Sequence, residues 1–139
     1  MKKDDVKFAL KLTRIERWSY NEDDFRRLII FEPEGCFIAS KNEKRIGMVT
    51  TTSYEDYAFL GCLIVLKGER GKGIGTKLMG HAINYLNGKG VKTVELDGVF
   101  PAVSMYRRLG FKDKYLSLRF IRRPEECNLD IKNNNLYAI

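Results

Sequence analysis

The stretch from Phe59 to Leu96 limits most narrowly what this chain can fold into. Phe59 to Leu66 is a nearly continuous apolar run, too short for an ordinary helix. It reads as a strand buried on both faces and so interior to a sheet. Lys67, Gly68, Glu69 and Arg70 follow, then glycines at positions 71, 73 and 75. Beyond them Leu78, Met79, Ala82 and Leu86 recur at helical spacing until Gly88 and Gly90 break the pattern. Val91 to Leu96 is again strand-like. Strand, glycine turn, helix and strand in that order make a βαβ unit with parallel strands and a right-handed crossover.

The flanking segments call for antiparallel neighbours. From Asp4 or Asp5, a suitable N-cap, the spacing of Val6, Ala9, Leu10 and Thr13 predicts a helix ending near Trp18. Asn21 caps a second, short helix with Phe25, Leu28 and Ile29, terminated by Pro33 and Gly35. Cys36 to Ser40 and Arg45 to Tyr54 are β-rich, joined by polar residues 41–44 as a hairpin would be. Pro101 suits the first turn of a helix through Leu109, with Gly110 at C′, and Lys114 to Ile121 predicts a last strand. The expected class is mixed α/β: a central, mostly antiparallel twisted sheet with one parallel βαβ unit and helices on both faces. With 139 residues, 44% of them hydrophobic, one packed domain is expected over residues 1–123. Residues 124–139, aperiodic and containing Asn133, Asn134 and Asn135, read as a tail or the start of a further module.

No apolar run is long enough to span a membrane as a helix, and the N-terminus lacks the apolar core of a signal peptide, so a cytoplasmic protein is expected. Cys36, Cys62 and Cys127 form no Cys-x-x-Cys pair, which argues against a disulfide framework or a metal site. The formal net charge of +7 attracts anions: nucleic acid, acidic membrane or polyphosphate. The location of the charge has to choose among them.

The glycine turn makes that choice. Glycines at 71, 73 and 75 let the backbone turn tightly and approach a ligand, while the helix behind them offers unpaired N–H groups and the positive end of its dipole. Arg70 and Lys72 add charge at the same place, so a pyrophosphate can be held by a backbone nest and two cations. The plain alternative is a tight turn with solvated basic residues. A Walker loop is excluded, because position 66 is Leu and Gly73 stands where Ser or Thr is needed after Gly71-Lys72. A dinucleotide fingerprint fits poorly, with Thr76 in place of its third small residue, although Glu95 lies at a suitable distance for a ribose contact.

Arg70-Gly71-Lys72-Gly73-Ile74-Gly75 resembles the Arg/Gln-x-x-Gly-x-Gly/Ala signature of GNAT-superfamily N-acetyltransferases. Ala102-Val103-Ser104-Met105-Tyr106-Arg107-Arg108-Leu109-Gly110-Phe111 resembles the second signature, Ala-x-x-x-Tyr-x-x-x-Gly-Phe. The likeness extends over about Trp18 to Ile121, including Glu34 to Ala39 and Ile46 to Val49 as the superfamily's second and third strands. Val99 stands where many members carry Asn, and the superfamily's usual first strand has no counterpart here.

The resemblance implies acetyl-CoA as co-substrate and a primary amine, on a small molecule or a peptide, as acceptor by direct attack in a ternary complex. It implies cofactor contacts from Leu63, Ile64 and Val65 at the end of the central strand, and from Arg70, Gly71, Lys72, Gly73, Ile74, Gly75 and Thr76 at the turn. Tyr106 takes the position proposed to protonate the departing thiolate; a helix tyrosine packed on the sheet is its plain alternative. An acceptor amine is mostly protonated at neutral pH, so a base is required. Asp97 is the first candidate, with Glu55 and Asp56 next, each of which also reads as a capping or solvated loop residue.

Other residues carry less. His81 is expected exposed, Trp18 and Tyr20 are weak acceptor-pocket candidates, and Cys36 and Cys62 lack a nearby activating His. Arg107, Arg108, Arg122 and Arg123 read as solvated faces. The alternative function is a non-catalytic acyl-CoA-binding regulatory module. A nucleic-acid-binding role is disfavoured by the lack of stacking repeats or a recognition helix, no membrane partner is expected, and a homodimer is compatible with the sequence.

Overall fold

The computed structural model describes residues 1–117 and residue 120. Four strands form one sheet in sequence order: β1 (Cys36–Lys41), β2 (Lys44–Tyr54), β3 (Tyr57–Val65) and β4 (Thr93–Leu96). The first three are antiparallel neighbours, and β4 runs parallel to β3. Helices α1 (Val6–Ile15) and α2 (Glu22–Phe31) precede the sheet, α3 (Ile74–Gly88) carries the chain from β3 to β4, and α4 (Val103–Arg108) follows. This is the mixed class expected, with its single βαβ unit.

Local chemistry sets the element ends. In the hairpin joining β1 and β2, Lys41 pairs with Lys44, so the connection is the two residues Asn42 and Glu43, both at positive φ (47° and 63°). That is the backbone a two-residue hairpin requires, and it is shorter than the four-residue link the polarity of 41–44 implied. Asn21 and Asp24 form a reciprocal capping box on α2, with N–H to carboxylate or amide distances of 2.8 and 3.1 Å. Gly90 and Gly110 turn left-handed after α3 and α4, and the next amides return to carbonyls of the last turn, Val91 to Leu86 and Phe111 to Tyr106, each at 3.1 Å. α1 closes in the same way but on Arg17, at φ 58°, and so stops at Ile15, short of Trp18.

Each sheet face has its own core. On one, Val49, Leu60 and Val65 pack with Leu78, Met79 and Leu86; on the other, Met48, Cys62 and Ile64 pack with Val6, Leu12 and Phe25. A β-bulge in β3 makes this division. The register passes from Thr50↔Gly61 to Met48↔Ile64, leaving Cys62 and Leu63 opposite Val49 alone, with Cys62 at φ 48°. The extra residue reverses the strand's alternation, so Leu60 faces α3 while Cys62 and Ile64 face α1 and α2.

Two expectations are corrected. β3 starts at Tyr57, and although it reaches both cores its burial is not continuous: Ala58, Leu60, Cys62, Ile64 and Val65 are buried, while Tyr57, Phe59, Gly61 and Leu63 are half-buried. The intervening positions border open clefts. Lys114 to Ser117 form no strand; the rest of the predicted strand through Ile121, except Phe120, lies outside the described residues, as do Arg122, Arg123, Cys127 and the whole of 124–139.

Candidate active site

The parallel pair is short. β4 accompanies β3 from Tyr57↔Thr93 to Leu60↔Leu96 and stops there, whereas β3 continues to Val65. From Gly61 onward the β4-side edge of β3 has no strand beside it among the described residues. The Leu66 amide points to β2, donating to the Ile46 carbonyl at 2.9 Å, so strand alternation turns the Val65 and Leu63 backbone into the gap. The Val65 carbonyl there accepts from Arg70 Nε at 2.8 Å.

At the mouth of the gap stands the glycine turn. Gly71 and Gly73 sit at φ 77° and 75°, with no atom within 4 Å of where a Cβ would project. The two glycines therefore provide left-handed backbone in open space. The amides of Gly71, Lys72 and Gly73 donate to no group among the described residues, and Gly73 is the N-cap of α3, whose first-turn amides at Ile74, Gly75 and Thr76 lie next in line. Gly75 lies against α4, with the position of a Cβ there 3.5 Å from Met105 Sδ, an ordinary van der Waals contact. The cations are less free than their position in sequence implied. Lys72 Nζ folds back onto the Gly68 carbonyl (2.8 Å) and Glu69 (3.0 Å). Arg70 bonds Glu16 at the end of α1 as well as Val65, so it straps the turn to α1.

Across the gap, Tyr106 of α4 lies against Gly98, just beyond β4, at 3.5 Å from an ideal Gly98 Cβ, and edge-on to Phe111. It is 8% exposed, and burial raises its phenol above the ordinary value. Its hydroxyl makes no hydrogen bond, yet no described buried side-chain oxygen or nitrogen lacks a partner, so the hydroxyl itself reaches solvent. Asp97 follows Leu96 where the pairing ends; it is exposed and makes no hydrogen bond or ion pair with a described residue. Glu55 and Asp56 lie at the opposite end of β3, in its turn with β2, six residues from Cys62 in the case of Asp56, a span of about 20 Å along a strand. Asp56 pairs with Lys92. These two are removed from the gap, a correction to their candidacy as bases: the turn that precedes a strand sits a strand's length from its far end.

Residues 7–111 match the model of the acetyltransferase (GNAT) family. The chain belongs to this family. It is 29% identical over 107 residues to the holothin acyltransferase of a Pseudoalteromonas strain, covering 76% of this chain and 35% of that protein. It is 31% identical to an uncharacterised N-acetyltransferase of Methanocaldococcus jannaschii, over 84% of this chain and 55% of that one. The chain thus spans between a third and a little over half of these curated relatives' lengths. An aminoglycoside N-acetyltransferase solved with CoA superposes with a TM-score of 0.71 at 18% identity, over 88% of this chain and 96% of that one.

In this GNAT domain a second cleft, of about 310 Å³, opens on the α2 face of the sheet. Tyr20, Leu28 and Phe31 form one side, Thr50, Thr52 and Tyr54 of β2 the other, and Phe59 and Gly61 of β3 the floor. Tyr20 therefore borders a pocket, whereas Trp18 packs on the α1–α2 core. Cys62 lies behind, hydrogen-bonded to Tyr20 and Thr50, with burial raising its thiol pKa; burial likewise pushes Cys36 up to about 11. Both stay protonated thiols at neutral pH, unsuited to carry an acyl group. His81 is exposed, edge-on to Phe37. Glu95 pairs in register with Phe59 and binds Tyr57 and Lys114, so it faces no ribose at the glycine turn. The bulge at Cys62, just past the start of the gap, was missed from sequence: its only local trace is Gly61 inside an apolar run.

Proposed function

We propose that this domain transfers the acetyl group of acetyl-CoA to a primary amine by direct attack in a ternary complex. The observation that carries the reading is the set of amides at Gly71, Lys72 and Gly73 unengaged by described residues, placed beyond the end of the β3 edge that β4 has left. The residues fit a CoA-like group: a nest and a helix N-terminus for the diphosphate, and an open strand edge at Leu63 and Val65 for the amides of the pantetheine arm. Bound there, acetyl-CoA supplies an activated thioester. Lys72, 52% exposed, can swing from Glu69 to a phosphate, and Arg70 holds the β3 terminus in place through the Val65 carbonyl.

Tyr106 has the properties of a general acid. Its phenol keeps its proton at neutral pH, and its hydroxyl is uncommitted and open to solvent. Asp97, unpaired at the end of β4, is the group we assign to accept the proton of the incoming ammonium, directly or through water. The α2-face cleft, whose floor at Gly61 adjoins the start of the gap, admits the acceptor.

Calorimetry with CoA tests the binding half of this reading. The wild-type protein should bind, and Gly73→Asp should lose binding, because an L-residue with a carboxylate at φ 75° strains the turn and repels phosphate. Equal affinity in the two proteins would remove the diphosphate from this turn.

A further inference from the structure

We propose that the α2-face cleft selects a primary amine carried on an apolar, flat or branched group and bearing no second positive charge; the inference rests on the acetyl-transfer reading above. The cleft walls are aromatic: Tyr20 and Phe31 on one side, Tyr54 and Phe59 opposite and below. Phe31 and Tyr54 are 69% and 54% exposed, so the walls present apolar surface that a complementary group would remove from water.

The charges in the cleft cancel internally. The one carboxylate among its described lining residues, Asp24, already faces a cation and an amide of its own helix: Oδ1 accepts from Arg27 at 2.5 Å and Oδ2 from the Asn21 amide at 2.8 Å. What remains to meet a ligand are the hydroxyls of Thr52 and Tyr54, since Thr50 and Tyr20 are hydrogen-bonded to Cys62, together with the exposed Arg27 guanidinium at the rim. A second ammonium entering this cleft would shed water without gaining a counter-charge and would approach Arg27. The net charge of +7 opposes the approach of a polycation from a distance as well. An apolar amine meets none of these penalties. Two sources offer this chemistry, a free aryl- or branched alkylamine and the N-terminus of a peptide whose first residues are apolar.

The test measures thiol release from acetyl-CoA with phenethylamine, isoamylamine and a peptide beginning Phe-Leu, against spermidine, an aminoglycoside and a peptide beginning Lys-Lys. The same amines are titrated calorimetrically into the CoA-bound protein. Apolar acceptors should exceed the polycations by about tenfold or more in kcat/KM and bind more tightly, with the small amines and the peptide separating the two sources. Phe31→Ala, at an exposed position, should shrink that ratio about fivefold through KM, and Thr52→Glu should raise turnover of spermidine. A preference for the polycations, or a ratio unmoved by both variants, overturns the inference and leaves acetyl transfer standing. Tighter binding of apolar amines without transfer to any acceptor overturns the transfer reading and leaves the cleft's selectivity intact; binding of no amine overturns the inference.

Discussion

Tyr106 combines a buried ring with a hydroxyl that reaches solvent, a pairing that a proton donor shares with a tyrosine packed on the sheet with its hydroxyl at the surface, so substitution has to separate the two roles. Spacing in the sequence placed it on a helix but could not choose between those roles, because side-chain burial depends on where Gly98 and Phe111 come to rest. Tyr106→Phe keeps the ring contacts and deletes only the donor. It should lower kcat about 100-fold while CoA affinity in calorimetry stays within about twofold. Burial raises the phenol above 10.0, so the donor is lost only as pH rises beyond that value, and the wild-type rate should show no alkaline decline due to this group below about pH 10. A decline near pH 8 that disappears in Tyr106→Phe would contradict the upward shift of the phenol, and an unchanged kcat in Tyr106→Phe would contradict the assignment. The opposite lesson comes from Glu55 and Asp56: they read as acids near the central strand, but a strand has two ends and only pairing reveals which one holds the gap.

Among the elements, the helices were the most legible, because their caps are written locally. Asn21, Gly90 and Gly110 each announced an end that the structure shows. α1 departs from this pattern by placing Arg17 in the left-handed position normally given to glycine. The strain of a side chain there outweighs the extra chain entropy of glycine, so Arg17→Gly should stabilise the domain by about 0.5–1 kcal/mol, seen as a higher denaturant midpoint at unchanged m-value. A lower midpoint would mean that the Arg17 side chain makes a stabilising contact that outweighs the strain. The β3 bulge is the contrasting case. It depends on how two strands match in length and side-chain volume, so the run Phe59 to Leu66 looked uniformly buried until its register with β2 was known.

At the scale of the whole molecule, α2, β2 and α3 are joined through one buried carboxylate. Glu32, 3% exposed, accepts from Tyr85 OH at 2.5 Å, Lys89 Nζ at 2.6 Å and the Ser53 amide at 3.0 Å, and also from the Ser53 hydroxyl. Burial alone would raise its pKa; the hydrogen bonds from Lys89, Ser53 and Tyr85 overcome that and bring it from 4.5 to about 2. Because the folded value lies below the unfolded one, the contribution to stability is complete above about pH 4.5 and is lost as pH falls toward 2. Its ceiling is about 3 kcal/mol, reduced by the solvent around Lys89. Thermal melts from pH 7 to 2.5 should show Tm falling more steeply in the wild type than in Glu32→Gln; parallel slopes would dismiss the network as a source of acid sensitivity.

The order of elements, the glycine turn and the tyrosine helix were determined by the sequence alone, because helix caps, alternating apolar residues and positive-φ glycines act over a few neighbouring positions. The tertiary structure decided where β4 leaves β3, how the bulge divides the two cores, that an aromatic cleft opens between α2 and the sheet and that Arg70 is strapped to α1. Each of these joins residues that chain connectivity does not hold together, and their meeting depends on the packing of the whole sheet between its helices.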